Sequence, residues 1–469
     1  MVSETRTYSL IDFGSTFTKV RRVDCATGEL LGAAQHRTTV ESDLLDGLDG
    51  ALAEIGTATP DFEDVIACSS AGGGLKIAVI GLEVDLTVAA ARQVVLNSGG
   101  RVVDVITGEF GDTSVGAVRS LAADLILLVG GTDGGNETFV LDAASLLARL
   151  PPDQPVIYAG NERARARVVA TLTAAKIDVR ATANVLPEVG QFRPLEAQAA
   201  IREAFLVHVI KGRGLSASPR FLEMVTMTTP DAVLQGVELM ANGVGDLPGV
   251  GPVIAVDVGG ATTDVYSSMG NPRRRRTSGS RFVPEPVTAR TVEGDLGMRW
   301  SAVTLVEAAG EEGFLEASLA PRLEAAAHKR QQDPDFVPQS PADIADDLEL
   351  ARLAVIVAVS RHAGRERVHL SLAGAEISVA GRDLRGVSQL VLSGGVFRAH
   401  VAAFSDDDSL SRAFARLDRR RFLMPQVRRV AVDKSYVLSS VGLLAQRDPR
   451  AALHLIRSSV PSLFVKESR

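Results

Sequence analysis

The chain has 469 residues, 46% hydrophobic and 23% charged, enough to bury more than one core. A formal net charge of −7 argues against bulk affinity for nucleic acid, and charged residues interrupt every apolar run short of the roughly 20 residues that span a bilayer. The two cysteines, Cys25 and Cys68, sit at no metal or redox spacing, and the seven histidines form no His-x-x-x-His pair, so a zinc centre or a His-based triad has little support.

Residues 7–11, 18–23 and 30–35 read as three strands of an antiparallel meander, with turn chemistry at 24–28. Ser42 is placed to cap a helix running to about residue 55. A short buried strand at 65–68 ends in Ala71-Gly72-Gly73-Gly74, and a helix over 87–97 stops at Gly99-Gly100. Apolar runs at 102–107, 124–129 and 156–159 then alternate with helical patterns, which predicts an open parallel sheet. From Pro194 one helical face gathers Ala197, Ala200, Ile201, Ala204, Phe205, His208 and Val209. After the Gly/Pro-rich stretch 248–252 the opening pattern returns: strand, glycine turn, strand. Asn271-Pro272 and Arg273 to Arg276 make a charged loop. Ser340-Pro341 starts a buried helix reaching about residue 363, and 435–444 reads as the last buried helix. The expected organisation is a first lobe over 1–98, an inserted α/β domain over 99–192, a helical segment over 193–248 returning to the first lobe, a second lobe over 249–450 and a tail over 451–469. With no basic-then-apolar leader and two free thiols, the expected compartment is a reducing cytoplasm.

The returning pattern carries the chemistry. Asp12-Phe13-Gly14-Ser15-Thr16-Phe17-Thr18-Lys19 and Asp257-Val258-Gly259-Gly260-Ala261-Thr262-Thr263 each follow a buried strand. Glycine lets backbone amides converge on anionic oxygens, and Ser15, Thr16, Thr262 and Thr263 add hydroxyl donors. A carboxylate beside phosphate needs a cation between them, so Asp12 and Asp257 imply Mg²⁺ held through its waters; either could also orient a water for attack on the γ-phosphate. Lys19 neutralises phosphate charge or is simply solvated. Ser393-Gly394-Gly395 ends another apolar strand and either passes under an adenosine or makes an ordinary turn. Glu293 and Asp295 bind Mg²⁺ or water, or cap the next helix. No Gly-x-x-x-x-Gly-Lys loop and no Gly-x-Gly-x-x-Gly fingerprint competes with this ATP reading.

These three motifs in this order resemble the ATPase fold shared by actin, sugar kinases and the heat-shock chaperone ATPase. That implies an α/β fold of two ribonuclease-H-like lobes with ATP and Mg²⁺ in the cleft. Residues 12–19 also resemble the opening of the glutamate mutase (methylaspartate mutase) accessory family, called MutL or GlmL. So do Cys68-Ser69-Ser70-Ala71-Gly72-Gly73-Gly74-Leu75-Lys76, Gly130-Gly131-Thr132-Asp133-Gly134-Gly135-Asn136, Tyr158-Ala159-Gly160-Asn161 and Glu293-Gly294-Asp295-Leu296-Gly297-Met298-Arg299. The resemblance implies a chaperone-like ATPase whose partner is an adenosylcobalamin-dependent mutase. The chain lacks an Asp-x-His-x-x-Gly motif, so it is not expected to carry cobalamin itself.

Around these motifs several bland readings compete. Phe13 and Phe17 should pack into the lobe. The basic run Arg273 to Arg276 is a solvated loop tip or a dock for an acidic face. The Gly130 to Asn136 loop and Gly160-Asn161 either make tight turns with Asn136 as an N-cap, or form a second ligand site or a mutase contact. His362 is expected as a helix-terminal cation rather than a base. A small-molecule kinase and an actin-like scaffold remain as rival functions on the same fold.

Overall fold

Two runs of buried residues, each beginning at a strand flanked on both sides, build two sheets with one strand order. The computed structural model describes residues 7–56, 64–71, 74–108, 110, 112–149, 153–207, 215–216, 218–270, 285–371, 374–405, 408–418 and 421–465. Expectations for Gly72, Gly73, His208, Val209 and Asn271 to Arg276 lie outside those residues. The described chain divides into two units, 7–24 with 30–232, and 25–29 with 233–270 and 285–465.

In the first unit β1 (Thr7–Phe13), β2 (Phe17–Asp24) and β3 (Leu30–Arg37) form the expected meander. Helix α1 (Leu44–Glu54) follows, capped by Asp43 rather than Ser42: the Asp43 carboxylate accepts from Leu45 N, while the Ser42 hydroxyl donates to Asp46. Strand β4 (Val65–Ser69) then lies parallel to β1, where it pairs Asp12 with Cys68 and Phe13 with Ser69.

Here the chain leaves to build a second sheet before returning. Its elements are β5 (Lys76–Gly81), α2 (Ala89–Asn97), β6 (Arg101–Thr107), α3 (Asp112–Arg119), β7 (Leu125–Leu128), α4 (Thr138–Arg149), β8 (Val156–Tyr158), α5 (Arg165–Ala174) and β9 (Val179–Ala181). All five strands are parallel, in the order β6-β5-β7-β8-β9. The sheet therefore begins at Lys76, on the N-terminal side of the boundary expected at residue 99. Successive side chains of a strand face opposite ways. Ile77, Val79, Leu125 and Leu127 accordingly join the core that contains Phe13 and Phe221, while Ala78, Ile80, Ile126 and Leu128 pack against α4 and α5 in a core of their own. The inserted sheet shares one of its faces with the first lobe.

After α6 (Leu195–Ala204) and α7 (Pro219–Met224), β10 (Val225–Thr228) pairs with β4 and completes the order β10-β4-β1-β2-β3. The division between the units falls inside α8 (Thr229–Asn242).

A two-residue hairpin, β11 (Gly243–Val244) and β12 (Leu247–Pro248), leads into β13 (Val253–Val258), β14 (Thr263–Ser268) and β15 (Thr288–Glu293), the second meander. Helices α9 (Ala302–Glu311), α10 (Ala320–Gln332) and α11 (Pro341–His362) follow. Ser340 caps α11 by accepting from Asp343 N, with Pro341 in the first turn as expected. Beyond the hairpin β16 (Arg365–Ser371) and β17 (Gly374–Ala380), β18 (Gln389–Ser393) lies parallel to β13. Helices α12 (Gly395–Ala399), α13 (Ala402–Ser405) and α14 (Ser409–Asp418) precede β19 (Arg429–Val432), which ends the order β15-β14-β13-β18-β19. Helix α15 (Leu438–Ala445) is buried, but it is not the last: α16 (Pro449–Ser459) buries Ala451, Ala452, Leu453, Leu455 and Ile456 within the second unit, where a tail was expected.

Each unit thus holds three antiparallel strands followed by two strands parallel to the first. The chain is α/β, with two ribonuclease-H-like lobes and an inserted parallel sheet. Among the described residues no helix is long and apolar enough to cross a membrane.

Candidate functional site

The meander registers place the two glycine turns alike. Phe13 faces Thr18 across the first turn, and Val258 faces Thr263 across the second. In each, the glycine amide closes the turn on a carbonyl three residues on: Gly14 N to Phe17 O at 3.1 Å and Gly259 N to Thr262 O at 2.9 Å. A Cβ on Gly14 would stand 2.7 Å from Phe17 O, so the first turn cannot close around a larger residue.

Most carbonyls of the two turns are hydrogen-bonded. Gly14 O accepts from the Thr38 hydroxyl at 2.8 Å and Thr16 O from Thr38 N at 2.9 Å. In the second turn Gly259 O accepts from Met298 N at 3.0 Å, Gly260 O from Arg299 N and Trp300 N at 2.8 and 2.9 Å, and Ala261 O from the Ser301 hydroxyl at 2.7 Å. The amides of Ser15, Thr16, Gly260, Ala261 and Thr262 donate to no acceptor among the described residues. Ser15, Thr16, Gly259, Gly260 and Ala261 are exposed. A loop with most of its carbonyls bonded and several of its amides unused presents a positive surface suited to an anion.

At the foot of the first turn Asp12 is only 4% exposed. The Thr229 hydroxyl, at the start of α8, donates to Asp12 Oδ1 at 2.6 Å; the Cys68 thiol lies 3.6 Å from the same oxygen, and Lys19 Nζ 3.4 Å from Oδ2. Burial pushes the Cys68 thiol well above its ordinary value and the Asp12 charge adds to the effect, so Cys68 stays a protonated donor. Lys19 is paired with Asp12 and half-buried. Phe13 is wholly buried, edge-on to Phe221, as expected; Phe17 is not, being 37% exposed at the turn.

At the second turn Asp257 faces Asp264 on one side and Ser393 on the other. Asp264 is held by Arg290, with a nitrogen–oxygen distance of 2.6 Å. Ser393 is buried, and Gly394 has φ +131, where a Cβ would stand 2.4 Å from Val258 O. This third motif is therefore packed directly onto the strand that carries Asp257. Gly395 opens α12.

Glu293 and Asp295 do not cap a helix through their side chains. Both accept from Arg361 Nη1, at 3.0 and 2.8 Å, while Arg361 Nε donates to Glu312 at 2.8 Å. Burial nevertheless raises Glu293 above the usual carboxylate range, against the pull of Arg361. The rest of that segment is a strap over the second turn. Gly297 approaches so closely that a Cβ would stand 2.4 Å from Ala261 C, and the Thr263 hydroxyl donates to Leu296 O. Arg299 is tied at 3.0 Å to Asp347, whose other oxygen accepts from the fully buried Arg330.

His362 is not a helix-terminal cation. It is buried, with Nε2 2.7 Å from the Ser267 hydroxyl and Nδ1 3.0 Å from that of Thr291, and burial, aided by Arg382, holds its pKa well below the ordinary value. In the inserted sheet Asn136 is the expected cap, accepting from Phe139 N at 3.0 Å. Asp133 accepts from Glu162 N and Asn184 Nδ2, both at 2.9 Å, so this loop is laced to its neighbours. Thr229, Thr38, Arg361 and Trp300 were not singled out from sequence. Thr229-Pro230 carries a helix-start signal, but nothing local links it to Asp12. Among the described residues no group of three or more His, Cys, Asp or Glu side chains is set to hold a metal ion.

A family model described as MutL protein matches residues 8–460. Protein MutL of Clostridium tetanomorphum is 34% identical over 458 residues, covering 96% of this chain and 98% of its own. Among solved structures, acetone carboxylase in its nucleotide-free form has a TM-score of 0.41 at 14% identity, covering 94% of this chain and 70% of that one. A glycerol dehydratase reactivase has a TM-score of 0.34 at 12% identity, with 94% and 99% covered. Those scores carry no functional argument; the sequence match, over nearly the full length, places the chain in the MutL protein family.

Proposed function

We propose that this chain is an ATP-dependent accessory factor that restores an adenosylcobalamin-dependent mutase of the glutamate (methylaspartate) mutase or aminomutase type. One observation carries the nucleotide half of this reading: two equivalent turns in which the carbonyls of Gly14, Thr16, Gly259, Gly260 and Ala261 are bonded within the protein while the amides of Ser15, Thr16, Gly260, Ala261 and Thr262 have no acceptor among the described residues. Oxygens of a polyphosphate suit both. Ser393, Gly394 and Gly395 are the residues for the adenosine end. The mutase half rests on the family and on the motif resemblance.

Asp12 and Asp257 each put a single carboxylate at the foot of a turn, and Asp12 is already bedded by Thr229 and Lys19. That donor set fits Mg²⁺ held through its own waters, not a cage of protein ligands. Asp12 and Asp257 would hold it, and when bound it supplies charge neutralisation to the phosphates. The Asp12 carboxylate, fixed by Thr229, is the group we assign to orienting a water for ATP hydrolysis.

Calorimetry on the full chain should show saturable ATP binding that requires Mg²⁺ and weakens in Asp12→Asn and in Asp257→Asn. Absence of magnesium-dependent binding, or an unaffected double variant, overturns the nucleotide reading. For the partner, a mutase inactivated with hydroxocobalamin should recover activity on adding this chain, ATP and fresh adenosylcobalamin. Recovery without ATP, or none with it, overturns the accessory role.

A further inference from the structure

We propose that Trp300 is a phosphate-contacting residue of the second turn, its indole N–H donating to the same anion that the Gly260, Ala261 and Thr262 amides receive. This rests on the nucleotide reading above and assigns that site a residue outside its glycine motif. Trp300 is the only tryptophan in the chain. Its backbone is fixed: Trp300 N and Arg299 N both donate to Gly260 O, and Arg299 is anchored on Asp347. Its ring is not covered, being 63% exposed. An indole so placed leaves a large apolar body in water, which folded chains usually avoid.

The ring also has a direction. Its Cδ1 lies 3.7 Å from the point where a Cβ on Gly260 would stand. The indole nitrogen is bonded to Cδ1, so the edge of the ring that carries the N–H is the edge nearest Gly260. That nitrogen is a donor only and has no acceptor among the described residues. A phosphate oxygen seated on the turn would meet three amides and this fourth donor, and would cover part of the exposed ring.

The lone tryptophan makes the test direct. The full chain is titrated with Mg-ATP, and separately with inorganic tripolyphosphate and Mg²⁺, while emission and calorimetric heat are followed. The expected result is an emission change with both ligands at the calorimetric midpoint, and about a tenfold loss of affinity for both in Trp300→Phe, which keeps a ring but removes the donor. Calorimetric binding with silent emission overturns the assignment. So does unchanged affinity in Trp300→Phe, and so does a response to ATP without one to tripolyphosphate, which would mean a base contact. Emission that moves only when a mutase is added would make Trp300 a partner contact instead. No calorimetric binding of either ligand removes this assignment together with the nucleotide reading.

Discussion

The two lobes solve one geometric problem with opposite electrostatics. Strand order and turn register are the same, yet the residue facing the turn aspartate is Lys19 in the first lobe and Asp264 in the second. In the first, Asp12 is steadied by the cation across from it and by a hydroxyl on a later helix. In the second, the facing position is itself acidic and is neutralised by Arg290 from the third strand. The support of the turns differs too. Thr38 alone, by side chain and backbone, takes two carbonyls of the first turn; a strap from Gly297 to Ser301 takes three of the second. The lesson is that a fold can repeat its backbone while the surrounding residues divide the labour. The first turn presents a finely held carboxylate, the second a rigid row of amides.

The sharpest way to break the contrast is to cut the strap's anchor. Arg330→Ala strips the fully buried cation from Asp347 and should cost about 3–5 kcal/mol, because the carboxylate is left behind in the core. Denaturant unfolding would measure it; a loss under 1 kcal/mol would mean that Arg299 suffices. Gly297→Ala should follow, at about 1–3 kcal/mol of overpacking, since its Cβ has no room beside Ala261. ATP affinity should fall with it, whereas a Gly297→Ala protein that binds ATP normally would detach the strap from the site.

On the other side of the comparison, Thr229→Val should remove the shortest of the hydrogen bonds described to the buried Asp12 carboxylate and cost about 1–3 kcal/mol. ATP turnover should drop more than ATP affinity, and Thr229→Ser should retain it; equal turnover in Val and Ser variants would separate Thr229 from the chemistry. The smallest effect belongs to pH. His362 has a folded pKa below its unfolded value, so the unfolded chain takes up the proton first and stability falls as pH drops below about 6.5. Melting temperatures at pH 7.5 and 5.5 should differ less in His362→Gln than in the parent. An identical difference in the two proteins would assign the acid sensitivity elsewhere.

What the sequence by itself determined was local. Strand alternation, the glycine turns after buried strands, the Ser340-Pro341 helix start and the Asn136 cap all depend on residues within a few positions of one another, and each is where it was expected. What only the tertiary structure decided was which distant segments meet. Thr229 lies 217 positions from Asp12, and the strap reaches its turn about 40 positions later. His362 carries a cation's signature at a helix end, yet its surroundings are set by strands β14 and β15. Lys76–Gly81 is an apolar run whose sheet cannot be read from its own residues, because parallel pairing is chosen by the elements that cover a strand. Periodicity and turn chemistry act over one or two turns of backbone; pairing, burial and the charge of a buried ring depend on neighbours supplied by the whole fold.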